Sequence, residues 1–162
     1  MKRISPTLSG FTLIELIVSI GILLLLIGGL LAGYNNYNQG QEVKQSALTL
    51  KANLRLAQTW ALSALKPTSG CTQLTGYTVT FTATTYGLQA QCDPEGLVGS
   101  TTAVTIPTGV SFVPVPQQTT FGVLTQGLIS PGSTLTITLS GFNKNYQLVV
   151  SPSGDITDNG FQ

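Results

Sequence analysis

The longest run of apolar residues in the chain extends from Phe11 to Ala32, and Glu15 is its one charged residue. A helix needs about 20 apolar residues to cross a bilayer. The run is long enough, and it therefore predicts a transmembrane helix over residues 11–33. The residues before it, 1–10, form a short polar leader whose charges are Lys2 and Arg3.

Apolar residues continue beyond this run in the spacing of an amphipathic helix. They recur every three or four positions, at Val43, Ala47, Leu50, Leu54, Ala57, Ala61 and Ala64. This spacing places them on one helix face, and Pro67 and Gly70 then end the pattern. We predict one helix from about Phe11 to Leu65, whose residues 34–66 are an amphipathic extension that packs on a sheet. Trp60 is assigned to the core rather than to a ligand site.

The remainder, residues 67–162, reads as a β-rich head. Polar and apolar residues alternate in short segments that are separated by Gly, Pro and Asn clusters, which is typical of strands. The predicted strands are Tyr77–Phe81, Thr85–Ala90, Ala103–Ile106, Val110–Val113, Thr119–Leu124, Ser133–Leu139 and Tyr146–Val150, with a short last one at Ile156. The first two form a hairpin. The fold class is therefore α+β.

Glu15 is the unusual residue of the apolar run. A charge inside a membrane helix costs roughly 2.5–3.5 kcal/mol on insertion scales, so it needs a partner or a function. Lys2 and Arg3 precede the run, and no further positive charge follows it until Lys44. Because positive charges are retained in the cytoplasm, we expect the amino terminus inside and the head outside.

Gly10 and the residues that follow it, Phe11 to Glu15, resemble the processing site of type IV pilins and type II secretion pseudopilins. The resemblance implies that prepilin peptidase cuts after Gly10 and methylates the new amino terminus at Phe11. It also implies that Glu15 neutralises the terminal ammonium of a neighbouring subunit during assembly. The implied partners are other pilin or pseudopilin subunits, prepilin peptidase, the inner membrane and its assembly platform. The implied end state is an extracytoplasmic filament.

A second, looser resemblance concerns the head. The order of helix, hairpin, Phe112, Phe121, Gly127 and a final Gly154-Asp155-Ile156 is similar to minor pseudopilins, which implies a long helix packed on two antiparallel sheets. The chain departs from the family in one respect, because it has no proline between Pro6 and Pro67. We expect Gly28-Gly29 or Gly40 to loosen the helix instead, since an interior glycine costs about 1 kcal/mol.

Other classes of amino-terminal segment fit less well. A secretory signal peptide has a shorter apolar core and a small-x-small cleavage site, whereas this run is long and carries an acid near its start. A plain single-pass anchor with an incidental acid remains an alternative. A further alternative for the head is an adhesion or binding module, and a tip subunit would combine both roles.

Composition argues against catalysis and nucleic-acid binding. The chain has no histidine, and only 8% of its residues are charged. General acid–base chemistry needs a positioned titratable group, and the head offers few, so we expect no enzyme, no catalytic residue and no cofactor. Acids outnumber bases from Lys66 onward. Because a nucleic-acid surface is normally a basic patch, no nucleic-acid partner is expected.

Two pairs of residues have alternative interpretations. Cys71 and Cys92 follow the membrane run, and in an oxidising compartment they would form a disulfide, with two free buried thiols as the alternative. No metal is expected there, because two cysteines supply only half of a zinc shell. Asp155 and Asp158 would offer oxygens to calcium, although aspartates that cap their own turns are the favoured interpretation.

Overall fold

The computed structural model describes residues 10–162, except for the side chains of residues 30–32 and 100–102. The predicted leader, residues 1–10, therefore lies outside the described residues apart from Gly10. The chain divides into two compact units, one ending at Asn38 and the other spanning Gln39–Gln162. Helix α1 (Leu13–Leu62) contributes to both units. The second unit adds nine strands to the end of α1, so the predicted α+β class is confirmed.

The strands form two antiparallel sheets. Their bounds are β1 (Gln73–Phe81), β2 (Thr85–Asp93), β3 (Gly96–Thr105), β4 (Val110–Phe112), β5 (Thr119–Gly122), β6 (Leu128–Ser130), β7 (Leu135–Gly141), β8 (Lys144–Val150) and β9 (Ile156–Phe161). One sheet has the order β3-β2-β1-β5-β6, and the other has the order β4-β7-β8-β9. The predicted first hairpin is confirmed as β1 paired with β2.

Three strands differ most from the prediction, and one of them is β9, which was predicted at Ile156 and extends over six residues. We predicted a break over residues 94–99, but β3 begins at Gly96, because Pro94 and Glu95 alone make the turn of a tight hairpin. The prediction also lacked β6, which is three residues long and too short to show alternation. Phe142 and Asn143 form a two-residue turn between β7 and β8. Their positive φ angles, 53° and 58°, fit the type I′ geometry that hairpins favour.

The apolar stripe of α1 lies at the centre of the second unit. Six of its residues, Val43, Ala47, Leu50, Leu54, Ala57 and Ala61, are 0% exposed. They belong to one core that includes Val79 and Leu88 of the five-stranded sheet and Ile137 and Leu148 of the four-stranded sheet. The prediction for Ala64 was wrong, because this residue is exposed and lies past the end of α1 with a φ of 48°.

Trp60 belongs to the same core, as predicted. It is partly buried, and its ring centroid lies 5.4 Å from that of Tyr77. The Tyr77 hydroxyl donates a hydrogen bond of 2.6 Å to the Leu65 carbonyl, and burial raises the pKa of Tyr77 above its usual value. The two aromatic residues thus fasten the end of α1 to β1.

A polar junction joins α1 to loops of both sheets. The Gln58 side-chain amide donates to the carbonyls of Gln126, at 2.8 Å, and Gly154, at 2.9 Å. Gln126 precedes β6 of one sheet, whereas Gly154 precedes β9 of the other. Gly154 has a φ of +92°, and a Cβ built there would lie 1.8 Å from the Gln126 carbonyl oxygen. The glycine is therefore required by both conformation and space.

Candidate assembly site

The Gly10–Phe11 bond lies immediately before α1. Gly10 is exposed, Phe11 is 77% exposed, and helical structure begins at Leu13. Proteases cleave exposed backbone outside regular secondary structure more readily than helical backbone, and such segments are common near chain ends. The position of the bond thus fits the cleavage that the sequence predicts after Gly10.

Thr12 and Glu15 form the start of a capping box. The Glu15 backbone N–H donates to the Thr12 hydroxyl at 3.4 Å, and the Leu16 backbone N–H donates to the Thr12 carbonyl at 3.2 Å. Thr12 is therefore the N-cap of α1. A Thr-x-x-Glu sequence before an apolar run is the signature of this motif, and the cap was not predicted because Glu15 was considered only as a charge.

The Glu15 side chain has a local role as well as a predicted assembly role. It lies exposed in the first turn of α1, where a negative charge is favoured by the helix dipole. Within residues 10–162, it makes no ion pair in one copy of the chain. Glu15 follows Phe11 by four residues, and Phe11 lies two residues before the first residue of α1.

The surface around Glu15 is apolar on all sides of the helix. Large apolar residues from Phe11 to Ile27 are exposed by between 42% at Ile27 and 80% at Leu25. Within the described residues, α1 is the helix long and apolar enough to span a membrane, with a mean hydropathy of 2.7 in its most apolar window. A helix that is apolar all round requires lipid or other helices around it.

Helix α1 is continuous through Gly28, Gly29 and Gly40. A Cβ built at Gly28 or Gly29 would meet nothing within 4 Å, so packing within one copy does not explain why glycines stand there. The loosening that we expect at these residues concerns the assembled state and stays a prediction.

The predicted disulfide between Cys71 and Cys92 is formed. The two Cα atoms are 5.5 Å apart, and the residues are 9% and 2% exposed. Leu74 pairs with Cys92 in the register of β1 and β2, so the bond closes the open end of the hairpin. For a sequence separation of 21 residues, the chain-entropy model gives a stabilisation of about 3 kcal/mol.

A polar cluster beside the disulfide fixes the same end of the sheet. The Glu95 carboxylate accepts hydrogen bonds from the Thr72 hydroxyl and from the Thr72 backbone N–H, the latter at 3.1 Å. The Thr72 carbonyl accepts from the Lys66 ammonium at 2.9 Å. The hydroxyl bond, followed by the backbone bonds, holds the pKa of Glu95 below its usual value. These contacts tie the segment after α1 to the β2–β3 turn.

Asp155 and Asp158 are held by local hydrogen bonds. Asp158 accepts from the backbone N–H of Gly160 at 3.0 Å and from the Tyr146 hydroxyl at 2.8 Å. It therefore caps its own backbone as predicted, but it does so within strand β9 rather than in a turn. Asp155 accepts from the Ser153 hydroxyl at 3.2 Å. Burial, and then the bond to Asp158, raises the pKa of Tyr146 to about 12. The described part of the chain contains no group of three or more metal-ligating residues.

The head residues on which the resemblance to minor pseudopilins rests have structural roles. Phe112 and Phe121 are 2% and 0% exposed. A Cβ built at Gly127 would lie 2.9 Å from the Pro152 carbonyl oxygen, and Gly154 lies in the polar junction with Gln58.

No family model, no curated protein and no solved structure matches the chain.

Proposed function

We propose that the chain is a structural subunit of a type IV pilin or type II secretion pseudopilin filament, of the minor pseudopilin class. It is processed after Gly10 by prepilin peptidase, methylated at Phe11 and assembled through its N-terminal helix. The observation that carries the proposal is the position of Glu15. It is the one charged residue of the apolar run, whose large side chains are exposed from Phe11 to Ile27, and it closely follows an exposed Gly10–Phe11 bond.

The mechanism follows from the cost of an unpaired charge. Cleavage after Gly10 creates an ammonium at Phe11, and each copy then carries one cation and one carboxylate within the same apolar segment. In lipid or between helices, such charges are tolerated only when they are paired. A neighbouring copy whose Phe11 amine meets Glu15 satisfies both groups, whereas another stagger leaves both unsatisfied. The pair thus selects the register, and burial of the apolar surface drives association.

The edges of the sheets support assembly through helices rather than through strands. Exposed sheet edges invite pairing with other chains, and proteins protect them with short strands, bulges or charges. The edge strands β4 and β6 have three residues each. The pairing of β3 with β2 is irregular between Leu88 and Ala90 of β2. The pairing of β9 with β8 is also irregular, and β9 carries the charged residue Asp158. The apolar part of α1 has no such protection.

We expect Gly10→Val to block processing, because a branched side chain at the cleavage position obstructs a peptidase that accepts glycine. The intact mass of the membrane-extracted protein measures this. Wild-type protein should lack residues 1–10 and carry one added methyl group, whereas the variant should retain the leader. Gly21→Val is the matched control, since a Cβ at Gly21 meets nothing within 4 Å, and it should be processed normally. A wild-type mass that includes the leader would favour the plain membrane anchor.

A further inference from the structure

The part of α1 within the second unit carries opposite charges on opposite flanks. Lys44, Lys51 and Arg55 are spaced by seven and four residues, so they form one row on the helix surface. We call them the basic row. Glu42 lies about 180° around the helix axis from this row, at 100° per residue. The two flanks also face different parts of the head, because Gln58, which continues the basic row, contacts the loops at Gln126 and Gly154.

Glu42 lines a cavity of about 300 Å³ between α1 and the end of β3. We call it the Glu42 cavity. Its other lining residues are Gln45, Ser46 and Thr49 on α1, together with Tyr86, Val104, Thr105, Ile106 and Pro107 on the sheet side. Asn53 fixes the Tyr86 hydroxyl with a hydrogen bond of 2.7 Å. Glu42 is the charged residue of the lining, and the sheet side is mostly apolar.

This lining suits a long basic side chain. Its apolar wall accepts an aliphatic stem, and its carboxylate pairs with a cationic end group, which is how lysine and arginine side chains divide their contacts. The cavity lies at the lower limit of the roughly 300–1,000 Å³ that is usual for ligand pockets, and its size therefore suits a single long side chain. Within the described residues, the Glu42 carboxylate makes no hydrogen bond or ion pair, so its charge is available.

We propose that Arg55 of one copy enters the Glu42 cavity of a neighbouring copy. Among the basic row, Lys51 is half-buried, whereas Lys44 and Arg55 are exposed. Arg55 is the better partner of the two, because a guanidinium can make two parallel hydrogen bonds to a carboxylate and an ammonium cannot. One copy cannot make this contact with itself, because residues 42 and 55 are about 20 Å apart along one helix. A contact between two different surfaces joins copies head to tail, which generates rings or open helical filaments. The inference rests on the proposed function and names a contact between the second units of neighbouring copies.

Cross-linking of filaments tests the contact directly. Glu42→Cys and Arg55→Cys are combined in the full-length chain, filaments are collected, and a short bis-maleimide whose reach matches the two lost side chains is added. We expect a ladder of covalent dimers, trimers and higher species on a denaturing gel. The matched control combines Gln41→Cys with Arg55→Cys, because Gln41 is exposed but does not line the cavity, and this pair should give at least about tenfold less ladder.

Charge reversal provides a second, independent readout. Arg55→Glu places a carboxylate against Glu42, and since like charges at an interface cost several kcal/mol, the filament yield should fall by roughly tenfold or more. Adding Glu42→Arg should restore the yield. Lys51→Glu is the matched control, and Glu42→Arg should not restore any loss that it causes. If wild-type filaments form but the Glu42→Cys/Arg55→Cys chain gives no ladder, or the double reversal gives no rescue, the contact alone is overturned. Absence of wild-type filaments would overturn the proposed function itself.

Discussion

Glu15→Gln should leave the protein inserted and processed but exclude it from filaments. Removing one partner of a buried ion pair costs about 3–5 kcal/mol, so incorporation should fall roughly 100-fold or more. Glutamine is chosen because it can replace glutamate in a capping box, and the start of α1 is therefore preserved. The measurement is the ratio of variant to wild-type chain in filaments from cells that express both, set against their ratio in the membrane.

The control for this variant is Thr12→Ala, which removes the N-cap and keeps the carboxylate. Loss of an N-cap costs typically about 1 kcal/mol, and the cost falls on the isolated subunit as well as on the filament. We expect Thr12→Ala to enter filaments at close to the wild-type level. Equal incorporation of Glu15→Gln and wild type would show that Glu15 serves α1 alone and not assembly.

Gly154→Ala should unfold the head or leave it marginally stable. A Cβ at this position lies 1.8 Å from the Gln126 carbonyl oxygen, at a φ of +92°. The strained backbone costs about 1–3 kcal/mol, and the clash adds to it, because the hydrogen bonds of Gln58 to both loops must break. We expect a total of about 4 kcal/mol or more, which is diagnostic for a single substitution. Thermal unfolding of the detergent-solubilised full chain, followed by circular dichroism, measures it.

Gly96→Ala separates the two causes of this destabilisation. Gly96 has a similar φ of +84°, but a Cβ there meets nothing within 4 Å. This control should lose only about 1 kcal/mol, which is the typical backbone penalty of replacing such a glycine. If the two variants unfolded at the same temperature, the polar junction would not be the constraint that we describe.

The helical part of the fold was predictable because its signal is periodic and local. Residues spaced by three and four positions from Val43 to Ala61 fall on one helix face, and they are the residues that the structure buries. The hairpin closed by Cys71 and Cys92 was predictable for a similar reason, because alternation and short turns are local features. Strand β6 was not predictable, because a strand of three residues is too short to show the alternation of polar and apolar residues. Its place at a sheet edge depends on pairing with β5.

The parts that escaped prediction depend on contacts between distant residues. Gln58 meets Gln126 and Gly154 only after both sheets have formed, and nothing near Gln58 in the sequence indicates this. The same holds for the Glu42 cavity, whose sheet wall begins at Tyr86 and ends at Pro107. The cap at Thr12 is different, because its signal was local and was obscured by the stronger signal of a charge in an apolar run.

The most direct test of the central claim is the amino-terminal residue of the chain in isolated polymers. Filaments sheared from native cells are purified, and the amino-terminal peptide is identified by mass spectrometry. The account predicts a polymer in which the chain begins at Phe11 with a methylated amine. A chain that is found only in the membrane, with Met1 still attached, would contradict it.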